Sequence, residues 1–238
     1  MTKIHPINYL KCLDGVREEK TFFLAPAYLD FSNTCNNNCI RLLNTLVGNF
    51  NSKKIKDIVG SSTSAVIALL LGLGYTVNEL RCKLNNVSFN NLTNNKYSTP
   101  LSIIVEDKQQ NLKFGLRKKE FKCIKEDNFL IWAKQQVADR IGQPLATFAD
   151  LHNQIQTNTS LRDIHLIGLN LTTQNLVLLN CKNTPDMPIA IALRICMSFS
   201  TAFSIVKIVD LSTNKTFTYT DGGITLQHIK VKKCKKVA

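Results

Sequence analysis

The stretch IKDIVGSSTSAVIALLLGLG at 55–74 constrains the fold more than any other part of this chain. A short β-type run at 56–59 stops at Gly60, a turn of small residues follows, and residues 65–73 are then apolar along their whole length. Counting Gly72 that run is nine residues long, about half of what a bilayer crossing needs. It therefore reads as a helix buried on every side, closed by Gly74 as a C-cap residue. A strand that passes through a tight turn straight into a buried helix is a building block of an α/β sheet covered by helices.

The remaining segments agree. With 44% hydrophobic and 20% charged residues over 238 positions, the chain is neither disordered, collagenous nor a disulfide miniprotein. Residues 21–24 form a β-type run, 33–38 a polar turn, and 39–47 have apolar residues at helical spacing. Residues 127–141 predict a helix capped by Asp127 or Asn128, striped by Leu130, Ala133, Val137 and Ile141, and stopped by Gly142 and Pro144. Strands are expected at 164–169 and 175–179, with a polar turn at 172–174 between them. A helix is expected at 188–199, then a hairpin of 204–209 with 215–220 around 212–214. No break in composition divides the chain, so 1–238 reads as one α/β domain. Residues 85–126, rich in Asn, Lys and Ser, read as an irregular, variable cap over the site, and 230–238 as a basic tail.

The eight cysteines (12, 35, 39, 82, 123, 181, 196 and 234) include no C-x-x-C pair. Cys35 and Cys39 are four apart but have no histidine pair at zinc-site spacing, so no metal is expected. The N-terminal MTKIHPINYLKCL lacks the apolar core and small-residue site of a signal peptide. The expectation is free thiols in a reducing compartment, in a cytoplasmic or peripheral membrane protein.

Lys+Arg number 30 against 17 Asp+Glu, a net charge of +13. Either this marks a polyanionic partner or it reflects the Lys, Asn and Ile bias of an AT-rich genome. The tail KVKKCKK carries Lys230, Lys232, Lys233, Lys235 and Lys236. A second basic group, Arg117, Lys118, Lys119, Lys122 and Lys125, lies near Phe114, Leu116 and Phe121 in sequence. Such segments fit an anionic membrane surface, with a solvated charge run as the alternative. Aromatics are not interleaved with the basic residues and no RNA- or DNA-binding motif stands out, so nucleic acid is not expected. Cys234 is fifth from the end and outside a prenylation box.

The turn after Gly60 has the plan of a nucleophile elbow, G-x-S-x-G, with Ser62 as the nucleophile and Ser64 in place of the second glycine. The amide of Thr63 then faces the developing oxyanion, and the helix N-terminus adds a partial positive charge there. The alternative is a Ser/Thr-rich N-cap, and it applies to Ser61 and Ser64 as well. Further on, YTDGGI at 219–224 places Asp221 at a strand end, before Gly222 and Gly223 at a tight turn.

An elbow followed in chain order by D-G-G resembles the patatin-like phospholipase family. The likeness runs from about residue 39 to 224. GSSTSAVIALLLGLGYTVNEL is similar to that family's elbow and helix, GQPLATFADLH to its G-x-P-x-x-T-F-x-x-L segment, IHLIGLNLTTQNLVLLN to its central strands, and TPDMPIAIALRICMSFSTAF to its helix before the last hairpin. The resemblance implies a three-layer α/β/α fold with a mostly parallel sheet. It also implies a lipid acyl hydrolase with Ser62 as nucleophile and Asp221 as base, working without a cofactor and with a phospholipid or other acyl lipid as substrate. His5, His152, His165 and His228 have no assigned role in it.

Two departures matter. The family's glycine-rich oxyanion loop has no counterpart: one register matches it to LDFSNT at 29–34, which puts Ser32 or Asn33 in its place, and another to LDGVRE at 13–18, which keeps Gly15 and Arg17. After D-G-G, Gln227 and Ile229 stand where the family carries Asn and Pro. Two readings follow, an acyl hydrolase with weakened activity, possible activating protein included, and a catalytically dead patatin-fold protein that binds lipid or a protein partner.

Overall fold

The computed structural model describes residues 21–23, 55–86, 100–109, 117–124, 126–198 and 203–223. The elements in chain order are β1 (Thr21–Phe23), β2 (Asp57–Gly60), α1 (Thr63–Gly72), α2 (Val77–Asn86), β3 (Leu101–Gln109), β4 (Arg117–Cys123), α3 (Asn128–Ile141), α4 (Phe148–Ile155), β5 (Asp163–Asn170), β6 (Asn175–Leu179), α5 (Ile189–Cys196), β7 (Val206–Asp210) and β8 (Lys215–Asp221). The strands form one eight-stranded sheet in the order β1-β2-β5-β8-β7-β3-β4, with β6 also on β5.

The sheet is mixed. β1, β2 and β5 run parallel, and β3 runs parallel to β7. β8 is antiparallel to both β5 and β7, so β7 points the same way as β5. Five strands thus share one direction, and β4, β6 and β8 oppose it. The arrangement is the three-layer α/β/α fold.

Three strands meet on β5, and their registers fix where the site lies. Leu166 pairs with Gly60 of β2 and with Leu179 of β6, so β2 and β6 occupy opposite edges of β5. Gly168 pairs with Val177 of β6 and Asp221 of β8, which puts β8 on the edge that β2 occupies. β2 advances along that edge and stops at Leu166; β8 comes from the other direction and stops at Gly168. The C-terminal ends of β2 and β8 therefore face each other with one residue of β5, Ile167, between their pairing positions.

Side chains alternate between faces along each strand, and the two faces differ. On one, Ile58, Ile164 and Leu166 join Ile103, Val105, Val206 and Ile208 and the buried helix α1 in the main core. α5 packs between α1 and α3 and against β5. On the other, Val59, Ile167 and Leu178 form a second buried cluster. That second face also holds a polar chain. His165 Nε2 is 3.0 Å from Asp57 Oδ1, and Asn180 Nδ2 is 3.0 Å from His165 Nδ1. Asn180 Oδ1 accepts the Asn183 amide at 2.8 Å, which turns its NH2 toward the ring. His165 Nδ1 is thereby the acceptor, and its proton sits on Nε2, bonded to Asp57. This anchors the start of β2 to β5.

Expected strands and helices at 56–59, 65–73, 127–141, 164–169, 175–179, 188–199, 204–209 and 215–220 are present within a few residues. Asp127 caps α3, accepting Leu130 N at 2.8 Å. The expectation of an irregular cover at 85–126 is corrected: among its described residues, β3 and β4 form the far edge of the sheet. Their Asn-, Lys- and Ser-rich surroundings masked an alternation in which Ile103, Val105 and Phe121 face the core while Glu106, Glu120 and Lys122 are exposed. Helices α2 and α4 are additional to the expected elements, and each opens with a capping box. Thr76 N donates to Glu79 at 2.7 Å, and Glu79 N to Thr76 Oγ1 at 3.3 Å. Thr147 and Asp150 exchange the same pair of bonds at 2.9 and 3.1 Å. The turn and helix expected at 33–38 and 39–47 lie outside the described residues.

Removing the Thr147 cap should cost about 1 kcal/mol. Thr147→Ala is expected to lower Tm by ~2–4 °C, read by thermal unfolding; no change would mean that the box contributes nothing to stability.

Candidate active site

Ser62 stands between the end of β2 and the first turn of α1 with φ 53 and ψ −137. A non-glycine residue in this region costs about 1–3 kcal/mol and persists only where its surroundings hold it. They do so here. Ser64 Oγ accepts the Ser61 amide at 3.0 Å and donates to the Ser61 carbonyl at 2.7 Å. Backbone bonds from Ser64 N to Ser61 O (3.1 Å) and from Ala65 N to Ser62 O (2.9 Å) close the turn. Ser64, in place of the second glycine, is the clasp of the turn: its side chain folds back onto the main chain of Ser61.

Gly60 shows why the chain needs a glycine before the turn. A Cβ there would lie 2.6 Å from the Ser64 carbonyl and 2.8 Å from the Ala68 Cβ, so any side chain would push α1 off the strand. Ser62 is the N-cap residue of α1, yet its hydroxyl makes no capping bond. It also differs from its neighbours in access. Ser61, Thr63 and Ser64 are buried, and Ser62 is half-buried.

Asp221, the last residue of β8, is 2% exposed. Its pairing with Gly168 puts its side chain on the face that carries α1 and α5. Ser62 donates hydrogen bonds to it from both side chain and backbone. The Gly223 amide donates to Asp221 Oδ1 at 2.9 Å. Burial pushes the Asp221 carboxyl above the usual aspartate range, and the bonds from Gly223 and Ser62 oppose that rise without cancelling it. Cys196 of α5 is fully buried beside it. Its thiol donates to the Ile167 carbonyl at 3.3 Å, and burial, then the Asp221 charge, hold it well above the ordinary thiol range and so protonated.

Gly222 stands in the turn that ends β8. The described glycines with positive φ are Gly74 and Gly142, so a left-handed backbone is not what this position requires. A Cβ on Gly222 would stand 2.8 Å from the Ile167 carbonyl oxygen, and the glycine instead lets β8 leave the sheet against β5. Gly223 contributes its amide to Asp221. The Thr63 amide sits at the N-terminus of α1, where the helix dipole favours negative charge. Ser32, Asn33 and the lysines of the tail lie outside the described residues, as do His5 and His228. His152 bonds Asp163 at 2.9 Å at the start of β5 and His165 bonds Asp57 on the opposite face. Among the described residues no group of His, Cys, Asp and Glu could hold a metal ion, and no helix is long and apolar enough to cross a membrane.

Sequence reasoning missed a buried polar group on α5. Arg194, in the otherwise apolar α5, is 1% exposed and bonds Asp127, Ser198 and Ser204. A lone arginine within IAIALRIC was the available signal.

Two outcomes follow from this geometry. A group whose folded-state pKa is raised adds stability below its unfolded value and loses it as pH rises through the folded value. At neutral pH the ionised Asp221 is therefore unfavourable to folding, and Asp221→Asn should leave Tm at pH 7 unchanged or higher. A clear fall would show that the charge itself holds the fold. Ser64→Ala removes the Oγ bonds to the Ser61 amide and carbonyl and should destabilise by about 1–3 kcal/mol, measured by denaturant unfolding.

A family model described as patatin-like phospholipase matches residues 41–227. Comparison with curated proteins gives no sequence match. VipD from Legionella pneumophila superposes with a TM-score of 0.56 at 13% identity, over 87% of this chain and 46% of that one. ExoU, a type III effector protein of Pseudomonas aeruginosa, gives a TM-score of 0.48 at 17% identity, over 76% and 39%. The chain thus spans less than half the length of either solved protein. The VipD likeness extends to the fold, and the family model runs through both Ser62 and Asp221. The chain belongs to the patatin-like phospholipase family.

Proposed function

We propose that the chain is a serine acyl hydrolase that cleaves lipid acyl esters through Ser62 and Asp221. The observation that carries this reading is the hydrogen bond from the strained, accessible Ser62 to the buried Asp221 carboxylate. Asp221 takes the Ser62 hydroxyl proton as Oγ attacks the ester carbonyl carbon. The resulting oxyanion is stabilised by the Thr63 amide and the α1 N-terminus. The tetrahedral adduct collapses, the ester C–O bond breaks, and the alcohol leaves with the proton held by Asp221. Water then attacks the acyl-Ser62 ester and gives its proton to Asp221; as the acyl–Oγ bond breaks, Asp221 passes that proton to Ser62 Oγ, and the fatty acid and free Ser62 are released.

The substrate class follows from the family, a phospholipid or other acyl lipid. The basic tail, with Lys230, Lys232, Lys233, Lys235 and Lys236, supports a contact with an anionic membrane surface. A protein activator is consistent with a chain that lacks the family's glycine-rich oxyanion loop. That same lack favours the second reading, a patatin-fold protein that binds lipid without turnover, because losing one oxyanion donor costs ~100- to 1,000-fold in kcat.

Turnover of a short p-nitrophenyl ester decides between them. Slow hydrolysis is expected in the wild type, with covalent labelling by a fluorophosphonate probe, and both are expected to vanish in Ser62→Ala. Asp221→Asn should lose hydrolysis by at least 100-fold. Equal rates in wild type and Ser62→Ala would sink the hydrolase reading and leave the lipid-binding one.

The pH profile tests the base separately. Asp221 must be ionised to accept the proton, and burial raises its pKa. The rate should therefore fall with acid at a pH above the ~3.9 of an ordinary aspartate. An acid limb at or below that value in kcat/KM would assign the base to another group.

A further inference from the structure

We propose that Arg194, acting through Ser198, is a positioning residue for Asp221. The inference rests on the reading of Ser62 and Asp221 as the reacting pair. It starts from a gap in the sheet. β7 pairs with β8 from Lys215 only as far as Tyr219, opposite Val206. Thr220 and Asp221 therefore run past the end of β7 with a strand on one side only, β5. On the open side, among the described residues, the Ser198 backbone carbonyl accepts the Asp221 amide at 3.3 Å and the Thr220 hydroxyl at 2.5 Å. The last two residues of β8 are held there by Ser198 as if by a strand.

Ser198 lies just past the C-terminus of α5 and is fully buried. Its amide bonds Ile195 at 3.0 Å, and its hydroxyl donates to the Arg194 carbonyl at 2.9 Å. The same hydroxyl accepts Arg194 Nη1 at 2.7 Å. The guanidinium goes on to Ser204, with Nη1 at 3.1 Å from its carbonyl and Nη2 at 3.3 Å from its hydroxyl. Nε is 2.6 Å from Asp127 Oδ2, the carboxylate that caps α3 through its other oxygen. The planar fork of an arginine is suited to this because its donors are fixed relative to one another. Ser198 is thus tied to α3 and to Ser204, just ahead of β7. A shift of Ser198 moves the carbonyl that holds Asp221, and with it the bond from Ser62. Misplacing a reacting group by about 1 Å costs ~100-fold in rate.

Ser198→Ala deletes one hydroxyl and keeps the carbonyl; Arg194→Lys keeps the charge and loses the fork. The experiment reads p-nitrophenyl ester turnover per serine titrated with fluorophosphonate, together with hydrogen exchange at the Thr220 and Asp221 amides. The expected result in both variants is a ~10- to 100-fold fall in kcat, KM within about twofold of wild type, and faster exchange at Asp221. A residue that only supports the fold would lower Tm and the fraction of titratable serine while kcat per titrated serine stayed at the wild-type value. That result overturns the proposal. If Arg194→Lys does not fold, Ser198→Ala decides alone. If the wild type neither turns over nor labels, the hydrolase reading has failed, and the exchange arm still judges the relay. Faster exchange at Asp221 in Ser198→Ala supports it, and unchanged exchange overturns it.

Discussion

The meeting of β2 and β8 on one edge of β5 is the constraint from which the rest of the site follows. A parallel strand and an antiparallel strand cannot both run the full length of the same edge. Here they share it, one ending at Leu166 and the other at Gly168. That arrangement brings together two residues far apart in the chain with no long loop to position either. It also explains two glycines. Gly60 lets α1 start directly above the end of β2, and Gly222 lets the chain leave β5 where a side chain would strike Ile167. Both stand where main chains must converge, and neither is there for flexibility.

Several features of the site oppose folding, and the surrounding structure offsets them. Ser62 keeps a backbone conformation that side-chain-bearing residues avoid. Asp221 is buried with its carboxyl raised, and Arg194 is buried with its charge. Replacing an ion pair such as Arg194–Asp127 by apolar residues is often neutral or stabilising, so stability alone does not account for it. The bonds from Arg194 lead toward Asp221, and those from Ser64 close the turn that displays Ser62. The helices that carry these groups, α1 and α5, are among the most completely buried segments described. The core stabilises the fold enough to hold a strained turn and two buried charges at one place.

Much of this was legible in the sequence because the central signals are local. A strand, a run of small residues and an unbroken apolar helix occupy 20 consecutive positions from Ile55 to Gly74, and D-G-G marks a strand end. Part of what failed was local. The strands β3 and β4 have one face exposed and a polar composition, so their alternation was lost among Asn, Lys and Ser. The caps of α2 and α4 are written in T-x-x-E and T-x-x-D, but the helices they open have few apolar residues in a row, so apolar periodicity does not mark them. The other failures are inherently non-local. Nothing near Arg194 in sequence announces Asp127 or Ser204, and nothing near His165 announces Asp57, 108 residues away. Buried polar groups find partners through topology, and topology is what a pattern of residues along the chain does not encode directly.

The histidines bear on how the proton moves. Serine hydrolysis commonly uses an imidazole between the serine and a carboxylate. Here both described histidines are committed elsewhere, His152 to Asp163 and His165 to Asp57 and Asn180. His165 is on the face of the sheet opposite α1, and its Nδ1 is already occupied by Asn180. A carboxylate that receives the serine proton directly works better the more basic it is, and an ordinary aspartate is a weak base at neutral pH. Burial supplies the correction: it raises Asp221 while the Gly223 and Ser62 bonds keep the carboxylate form available. Cys196 adds to the dry surroundings without competing for the role, since its own thiol is held protonated by the same burial and by the Asp221 charge. In the proposed reaction a single carboxylate stands in place of an imidazole relay, and burial together with the Gly223 and Ser62 bonds sets its basicity.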